Sequence, residues 1–234
     1  GSVMSNLVRL NKHLAHTLGM SRRAADTCID QGRVLINGKV ATLGNVIDST
    51  RDVIEIDNSK LTQDKKRYTY VVFNKPVGYI CSRSQQGDTP TIYSILPRQY
   101  QSLKIAGRLD KDSCGLVLLT DDGDTIFKLT HPKFGKKKVY IVSLNKTLTP
   151  EHKKQIEGGV LLEDGTSQFT VEKIENTKDS KKRPNTYKVT MHEGRNRQIR
   201  RTFGELRYMV THLQRVKMGP YDLDNIPTGK YLQL

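Results

Sequence analysis

The sequence predicts an α+β protein in two parts: a small unit of helices with a small sheet, then a larger unit on a mixed, mostly antiparallel sheet with flanking helices. Three observations carry this. The opening segment holds two helix-period patterns followed by an Asn-Gly turn between apolar runs. A polar stretch without apolar period, 58–67, then reads as a linker. Beyond it come many short β-rich runs with few helix-like segments. The 234 residues suffice for two cores, divided as 1–57, linker 58–67 and 68–234.

In chain order, Leu7, Leu10, Leu14 and Leu18 recur at steps of three and four, predicting an amphipathic helix that ends at Gly19. Ser21 can cap a second helix that buries Ala24, Ala25, Cys28 and Ile29 and stops at Gly32. Val34-Leu35-Ile36 and Lys39-Val40 flank Asn37-Gly38, a hairpin signal. In the larger part, Tyr70–Phe73, Leu116–Leu119, Val139–Leu144 and Tyr187–Met191 read as strands. Tyr79–Cys81 reads as extended chain. Thr125–Thr130 reads as a helix, and Val160–Leu162 with Phe169–Val171 as a hairpin about Asp164-Gly165. Residues 176–185 read as a solvated loop.

The formal net charge is +15 and the pI about 9.7, which points to a polyanionic partner, nucleic acid before an acidic membrane surface. Cut at Asp57, the parts carry 7 basic against 6 acidic and 32 against 18 residues, or +1 and +14. Arg9, Lys12, Arg22, Arg23, Arg33 and Lys39 crowd the start of the first part. Lys128, Lys133, Lys136, Lys137 and Lys138 fall within eleven residues without an acid, and Arg195, Arg197, Arg200 and Arg201 within seven. No apolar run approaches the ~20 residues of a membrane-spanning helix. The opening GSVMSNLV lacks a signal-peptide core. Three cysteines without CxxC spacing exclude a disulfide framework and a zinc ribbon, and no HExxH or paired-His set offers a metal site. A reducing, cytoplasmic setting is expected. Nothing signals an oligomer, so a monomer is expected.

The densest segment is Gly107-Arg108-Leu109-Asp110-Lys111-Asp112-Ser113-Cys114-Gly115-Leu116: a Gly-flanked polar loop running into a buried strand, where rigid support suits a site. Taken alone, Asp110 reads as a turn residue more readily than as a nucleophile. Cys114 has no His to activate it and reads as a small buried filler.

Two resemblances change that weighting. Residues 7–56, VRLNKHLAHTLGMSRRAADTCIDQGRVLINGKVA in particular, resemble the S4 RNA-binding domain. Gly-Arg-Leu-Asp-x-x-Ser-x-Gly-Leu resembles the motif of the pseudouridine synthases, in the branch that modifies ribosomal RNA and carries an N-terminal S4 domain. Asn74-Lys75-Pro76-x-Gly78, Lys138-Val139-Tyr140, Glu193–Arg201, and Leu213-x-Arg215 before Gly219 follow in that family's order. The resemblance implies isomerisation of a uridine already in RNA, without metal or organic cofactor. Asp110 would attack sugar or base, or assist departure of uracil. Tyr140 would stack on the base and help remove the C5 proton. Arg108 would fill the space the flipped base leaves, and Leu213 would line the uracil pocket.

An ionised carboxylate in a water-poor pocket needs a basic partner. With Ile199, Phe203 and Leu206 on the buried face of a helix, Arg197 and Arg201 point about 200° away from Ile199 while Arg200 borders the apolar stripe. Arg200 is therefore expected to pair with Asp110. Arg195, Arg197 and Arg201 are expected on phosphates. Arg9, Lys12, Arg22, Arg23, Lys75, Lys136, Lys137, Lys138 and Arg215 complete the expected RNA contacts, with a structural role also implied for Lys75. The expected partner is ribosomal RNA, naked or within an assembly intermediate. LNKHL, GRLDKDS, EGRNRQIRR and the Glu-Asp-Gly hairpin resemble enzymes for a large-subunit hairpin near the peptidyl-transferase centre. The alternatives are a small-subunit or transfer-RNA synthase, or a catalytically silent RNA-binding assembly factor.

Overall fold

The computed structural model describes residues 6–61, 68–175 and 183–234 and separates into two units, Gly1–Arg67 and Tyr68–Leu234. The expectations for the end of the linker and for most of the polar loop fall on 62–67 and 176–182, outside the described residues.

The small unit begins with a strand, not a helix. Leu7–Arg9 (β1) pairs with Val46–Asp48 (β4), so α1 starts only at Leu10 and runs to Leu18, with Gly19 left-handed as its C-cap. Leu10 and Leu14 are buried, but Leu7 and Leu18, read into the same stripe, are exposed. Ser21 caps α2 (Arg22–Asp30) by accepting from Ala24 N–H at 3.0 Å. Ala25, Cys28 and Ile29 are buried; Ala24 faces solvent instead. Val34–Ile36 (β2) and Lys39–Val40 (β3) form the hairpin, with Asn37 and Gly38 both at positive φ as its turn requires. Ile54–Ile56 (β5) and Ser59–Lys60 (β6) extend the sheet to the order β3-β2-β5-β6, so the residues after Asp57 are structured where a linker was expected. Leu10, Leu14, Ile29, Val34, Ile47 and Ile54 close its core.

The larger unit is a nine-stranded mixed sheet. Its strands are Tyr70–Lys75 (β7), Lys104–Ala106 (β8), Cys114–Thr120 (β9), Lys138–Leu144 (β10), Thr170–Lys173 (β13), Thr186–Met191 (β14), Val210–Met218 (β15), Tyr221–Asp222 (β16) and Tyr231–Gln233 (β17). The central path is β13-β14-β10-β15-β9-β7-β17. β15 and β9 pair in parallel, and the other strand pairs of this sheet are antiparallel. Alternation divides the apolar residues between two faces. Val71, Phe73, Val117 and Leu119 join one core with Val142, Val189 and Phe203, whereas Val72, Leu116 and Leu118 join another with Ala106, Leu129 and Met218. Strand β9 is buried along its whole length, so the segment leading into it has a fixed support.

Helices Gly123–Thr130 (α3), Pro150–Gly158 (α4) and Gln198–Glu205 (α5) flank the sheet. The hairpin about Asp164 differs from expectation. Val160–Leu162 (β11) pairs with Gly165–Ser167 (β12), while the run around Phe169 continues as β13 on the main sheet. Tyr79–Cys81 makes only an isolated bridge, Ile80 with Thr91. Among the described residues, no helix is long and apolar enough to cross a membrane.

Candidate active site

The segment Gly107–Ser113 leaves β8 and enters β9, and its backbone is held by cations. Arg215 is 2% exposed; its guanidinium donates to the carbonyls of Leu116, at 2.9 and 2.8 Å, and Gly107, at 2.5 Å. Lys75 is fully buried, and its ammonium donates to the carbonyls of Ser113, at 2.6 Å, and Pro76, at 2.8 Å, with Lys111 at 3.4 Å. Arg200 Nη2 donates to the Asp112 carbonyl at 2.9 Å and to Ser113 Oγ at 3.3 Å. Four carbonyls of this segment, with those of Pro76 and Leu116 beside it, therefore accept from three positive side chains. Burial pushes the Lys75 ammonium below its ordinary value, opposed by its neighbours Cys81, Cys114, Asp112 and Asp110.

These contacts correct two expectations. Lys75 and Arg215 are buried braces of the loop, not RNA contacts on the surface. Arg215 lies two residues beyond Leu213 on β15, so strand alternation turns both inward. Gly115 permits the close approach: at φ +107°, a Cβ there would lie 2.2 Å from the Arg215 carbonyl oxygen.

Asp110 stands where two cavities of about 540 and 610 Å³ meet, with Arg108, Leu109 and Arg197 also lining both. The first is walled by Tyr140, Leu213, Ile199 and Lys138, with Arg195 on its margin. Tyr140 and Leu213 are each 8% exposed, so one side of the cavity is aromatic and apolar, while cations line the other parts around a carboxylate whose own side chain is 42% exposed. Arg108 is tethered by Nε to the Cys81 carbonyl at 2.9 Å. Burial pushes the Cys81 and Cys114 thiols up, in keeping with Cys114 as a buried filler.

The expected partner of Asp110 is displaced. Arg197 Nη1 lies 3.4 Å from Asp110 Oδ2, while Arg200 directs Nε toward Asp112 at 3.6 Å and does not line the cavities. The helix-wheel phase fails at Arg197 because α5 begins at Gln198. Arg197 is its N-cap, in left-handed backbone at φ 49°, which swings the side chain toward the loop. Asp112, given no role in the sequence reading, accepts both ends of the Arg197 fork at 3.1 and 2.9 Å. Those hydrogen bonds hold the Asp112 carboxyl below the usual carboxylate range against desolvation, with Arg200 adding Coulombic attraction.

Arg195 and Arg201 converge on Asp164 at the β11–β12 turn, at 3.0 and 2.8 Å, so the expected phosphate ligands already share one carboxylate. Glu193 also reaches Arg195, at 3.6 Å, so both guanidiniums are already matched by carboxylates and RNA phosphates would have to compete for them. Lys138 lines the first cavity; burial, and next the charge of Arg215, lowers its pKa. Lys137 is exposed and Lys136 half-buried, and Arg9, Lys12, Arg22 and Arg23 are all exposed on the small unit. Among the described residues, no group of three or more His, Cys, Asp or Glu is placed to hold a metal ion.

A carboxylate beside an aromatic and apolar pocket, rimmed by guanidiniums, suits covalent or electrostatic work on a planar base carried by a phosphate backbone. Residues 69–205 match the family described as RNA pseudouridylate synthase, and residues 8–53 match the S4 domain. The chain is 33% identical over 231 residues to ribosomal large subunit pseudouridine synthase B of Pseudomonas aeruginosa, covering 97% of this chain and 59% of that protein. It is 35% identical over 229 residues to ribosomal small subunit pseudouridine synthase A of Haemophilus influenzae, covering 97% of this chain and 96% of that protein. A crystal structure described as a pseudouridylate synthase, 34% identical, superposes with a TM-score of 0.63 over 97% of this chain and 96% of its own. With this fold and both matches, the chain belongs to the RNA pseudouridylate synthase family, carrying an S4 domain ahead of the synthase domain.

Proposed function

We propose that the chain isomerises uridine to pseudouridine in ribosomal RNA, at a large-subunit hairpin near the peptidyl-transferase centre. The observation that carries the reading is Asp110 at the junction of two cavities, one of them walled by Tyr140 and Leu213. In the reaction the C1′–N1 bond breaks, the uracil turns, C1′–C5 forms, C5 gives up a proton and N1 gains one. No atom is gained or lost overall.

A carboxylate is nucleophilic at neutral pH without an activating base, so Asp110 can act on the reacting nucleotide directly. Tyr140 stacks on the uracil and stands to take the C5 proton. A base in a duplex cannot reach such a pocket, so the target is unpaired or flipped, with Arg108 filling the vacated stack. Arg197 faces Asp110, while Arg195, Arg201 and Lys136–Lys138 hold phosphates, and Arg9, Lys12, Arg22 and Arg23 extend the contact on the S4 domain. Asp110→Asn should abolish tritium release from 5-tritiated uridine in rRNA while RNA affinity stays within a few fold. Retained activity would overturn the assignment.

A second reading is small-subunit rRNA, favoured by the likeness to the Haemophilus protein over nearly the full length of both chains. Mapping pseudouridine in both rRNAs of a deletion strain decides between them.

A further inference from the structure

Phe127 and Phe134 are 45% and 37% exposed, in a chain with five phenylalanines and no tryptophan. They form one group. Their rings meet edge to face at 5.5 Å, and His131 lies 4.9 Å from Phe127 and 6.4 Å from Phe134. Lys133 Nζ sits 5.3 and 5.0 Å from the two ring centres. The turn holds itself: His131 Nδ1 accepts from Lys133 N–H at 3.2 Å, and Gly135 follows in left-handed backbone.

This group belongs to the margin of the cleft. Ile126, Leu129 and Thr130, on the same helix α3, line the first cavity, and so do Lys138 and Tyr140 on the strand that leaves the turn. Helix α3 thus buries Leu129 while leaving Phe127 out. The same stretch carries five lysines and no acid between Lys128 and Lys138.

We propose that Phe127, His131 and Phe134 form a stacking platform for an unpaired nucleobase of the RNA, outside the cleft and near the nucleotide that enters it. The inference rests on the reading of RNA as substrate. Aromatic faces accept any base, and the lysines supply attraction for the phosphates on either side. Charge fixes the choice of occupant: Asp124 pairs with Lys128 at 2.9 Å, and the four lysines beyond it, with no acid among them in sequence, complement a polyanion.

The test uses the full chain and a short oligouridylate carrying a single 2-aminopurine, whose fluorescence falls on stacking. Wild type and Asp110→Asn should quench the probe equally. Phe134→Ala should lose most of the quench and weaken binding about fivefold or more, since removing one stacking partner has about that effect at least. Phe134→Trp should restore both; Phe134→Leu, which keeps apolar packing without a ring, should not. Lys137→Gln should lower the salt dependence and leave the quench intact. Equal quench and affinity in Phe134→Ala, or restoration by Phe134→Leu, overturns the platform while leaving the synthase reading untouched. Failure of wild type to bind the probe, or binding indifferent to salt, overturns the RNA reading and the platform with it.

Discussion

Arg197 reaches Asp110 with one nitrogen at 3.4 Å, while Asp112 occupies both ends of its guanidinium at 3.1 and 2.9 Å. Asp112 thus sets where the charge facing Asp110 sits. A lysine offers no fork and cannot hold both carboxylates in this geometry. Arg197→Lys should lower kcat/KM by about tenfold, reflecting loss of a charge-assisted contact, with the melting temperature little changed. Arg200→Lys should act mainly on stability, because Arg200 braces the Asp112 carbonyl and Ser113 Oγ. Tritium-release kinetics with thermal melts separate the two. A larger catalytic loss in Arg200→Lys at unchanged melting temperature would return the Asp110 pairing to Arg200.

Lys75→Met keeps the length of the side chain and removes its donors. The Ser113 and Pro76 carbonyls would then lose the ammonium that reaches them at 2.6 and 2.8 Å. A buried acceptor left without its partner costs about 1–3 kcal/mol. The melting temperature should fall by several degrees, and kcat should fall with it because the loop carrying Asp110 loosens. RNA affinity should hold, since Lys75 has no exposed surface. Loss of affinity with kcat intact would restore Lys75 as an RNA contact.

Much of this was legible in the residues, and the failures have physical causes. The continuous apolar run of β9, the Ser21 cap and the Asn37-Gly38 turn are local, and each formed where its chemistry asks. Leu7–Arg9 was drawn away from helix by pairing with Val46–Asp48, a contact between distant positions that no local period reports. Arg215 and Lys75 carry charge, which signals surface, yet their stations on β15 and beside Pro76 turn them into the core. The inward phase of Arg215 could have been read from Leu213. The Asp112–Arg197 fork joins residues 85 positions apart and left no sequence pattern to find.

Gly115→Ala tests whether the β9–β15 junction tolerates any side chain. A Cβ would lie 2.2 Å from the Arg215 carbonyl oxygen and 2.7 Å from its nitrogen, both backbone atoms, with φ at +107°. Neither the contact nor the backbone conformation can relax cheaply. The variant should unfold at markedly lower temperature or accumulate insolubly. A melt within a degree or two of wild type would show that the backbones of β9 and β15 can part at Gly115 at little cost.

Binding to RNA should weaken steeply with salt, with a log–log slope near −0.7 to −0.9 per phosphate neutralised. Arg22 and Arg23 lie exposed at the start of α2, where backbone N–H groups also favour anions. Replacing both by Gln should reduce the slope by about two phosphate equivalents. Arg195→Gln should reduce it less, because Asp164 already holds that guanidinium at 3.0 Å. Equal reductions would mean that Asp164 releases its arginines to the RNA.

Stability should respond to pH at both ends, with the sign set by burial and pairing. The carboxyls of Asp112 and Asp164 lie below the ordinary value of 3.8, through hydrogen bonds from Arg197 and Arg201 respectively. The folded state therefore holds fewer protons on them than the unfolded chain does in acid. Their stabilisation is complete above about pH 4 and drains away as pH falls through the folded values. Both side chains are more than two-fifths exposed, so solvent screening keeps the contribution small. Lys75 and Lys138 are lowered from 10.5 by burial, so unfolded chain binds more protons than folded chain between their folded values and 10.5. Their destabilising effect is thus present at neutral pH and lifts as pH rises through that window. Melting temperature against pH should show Asp164→Asn flattening the acid limb and Lys138→Met flattening the alkaline one. An Asp164→Asn curve parallel to wild type below pH 4 would mean that Asp164 is no better stabilised as an anion in the folded chain than in the unfolded one.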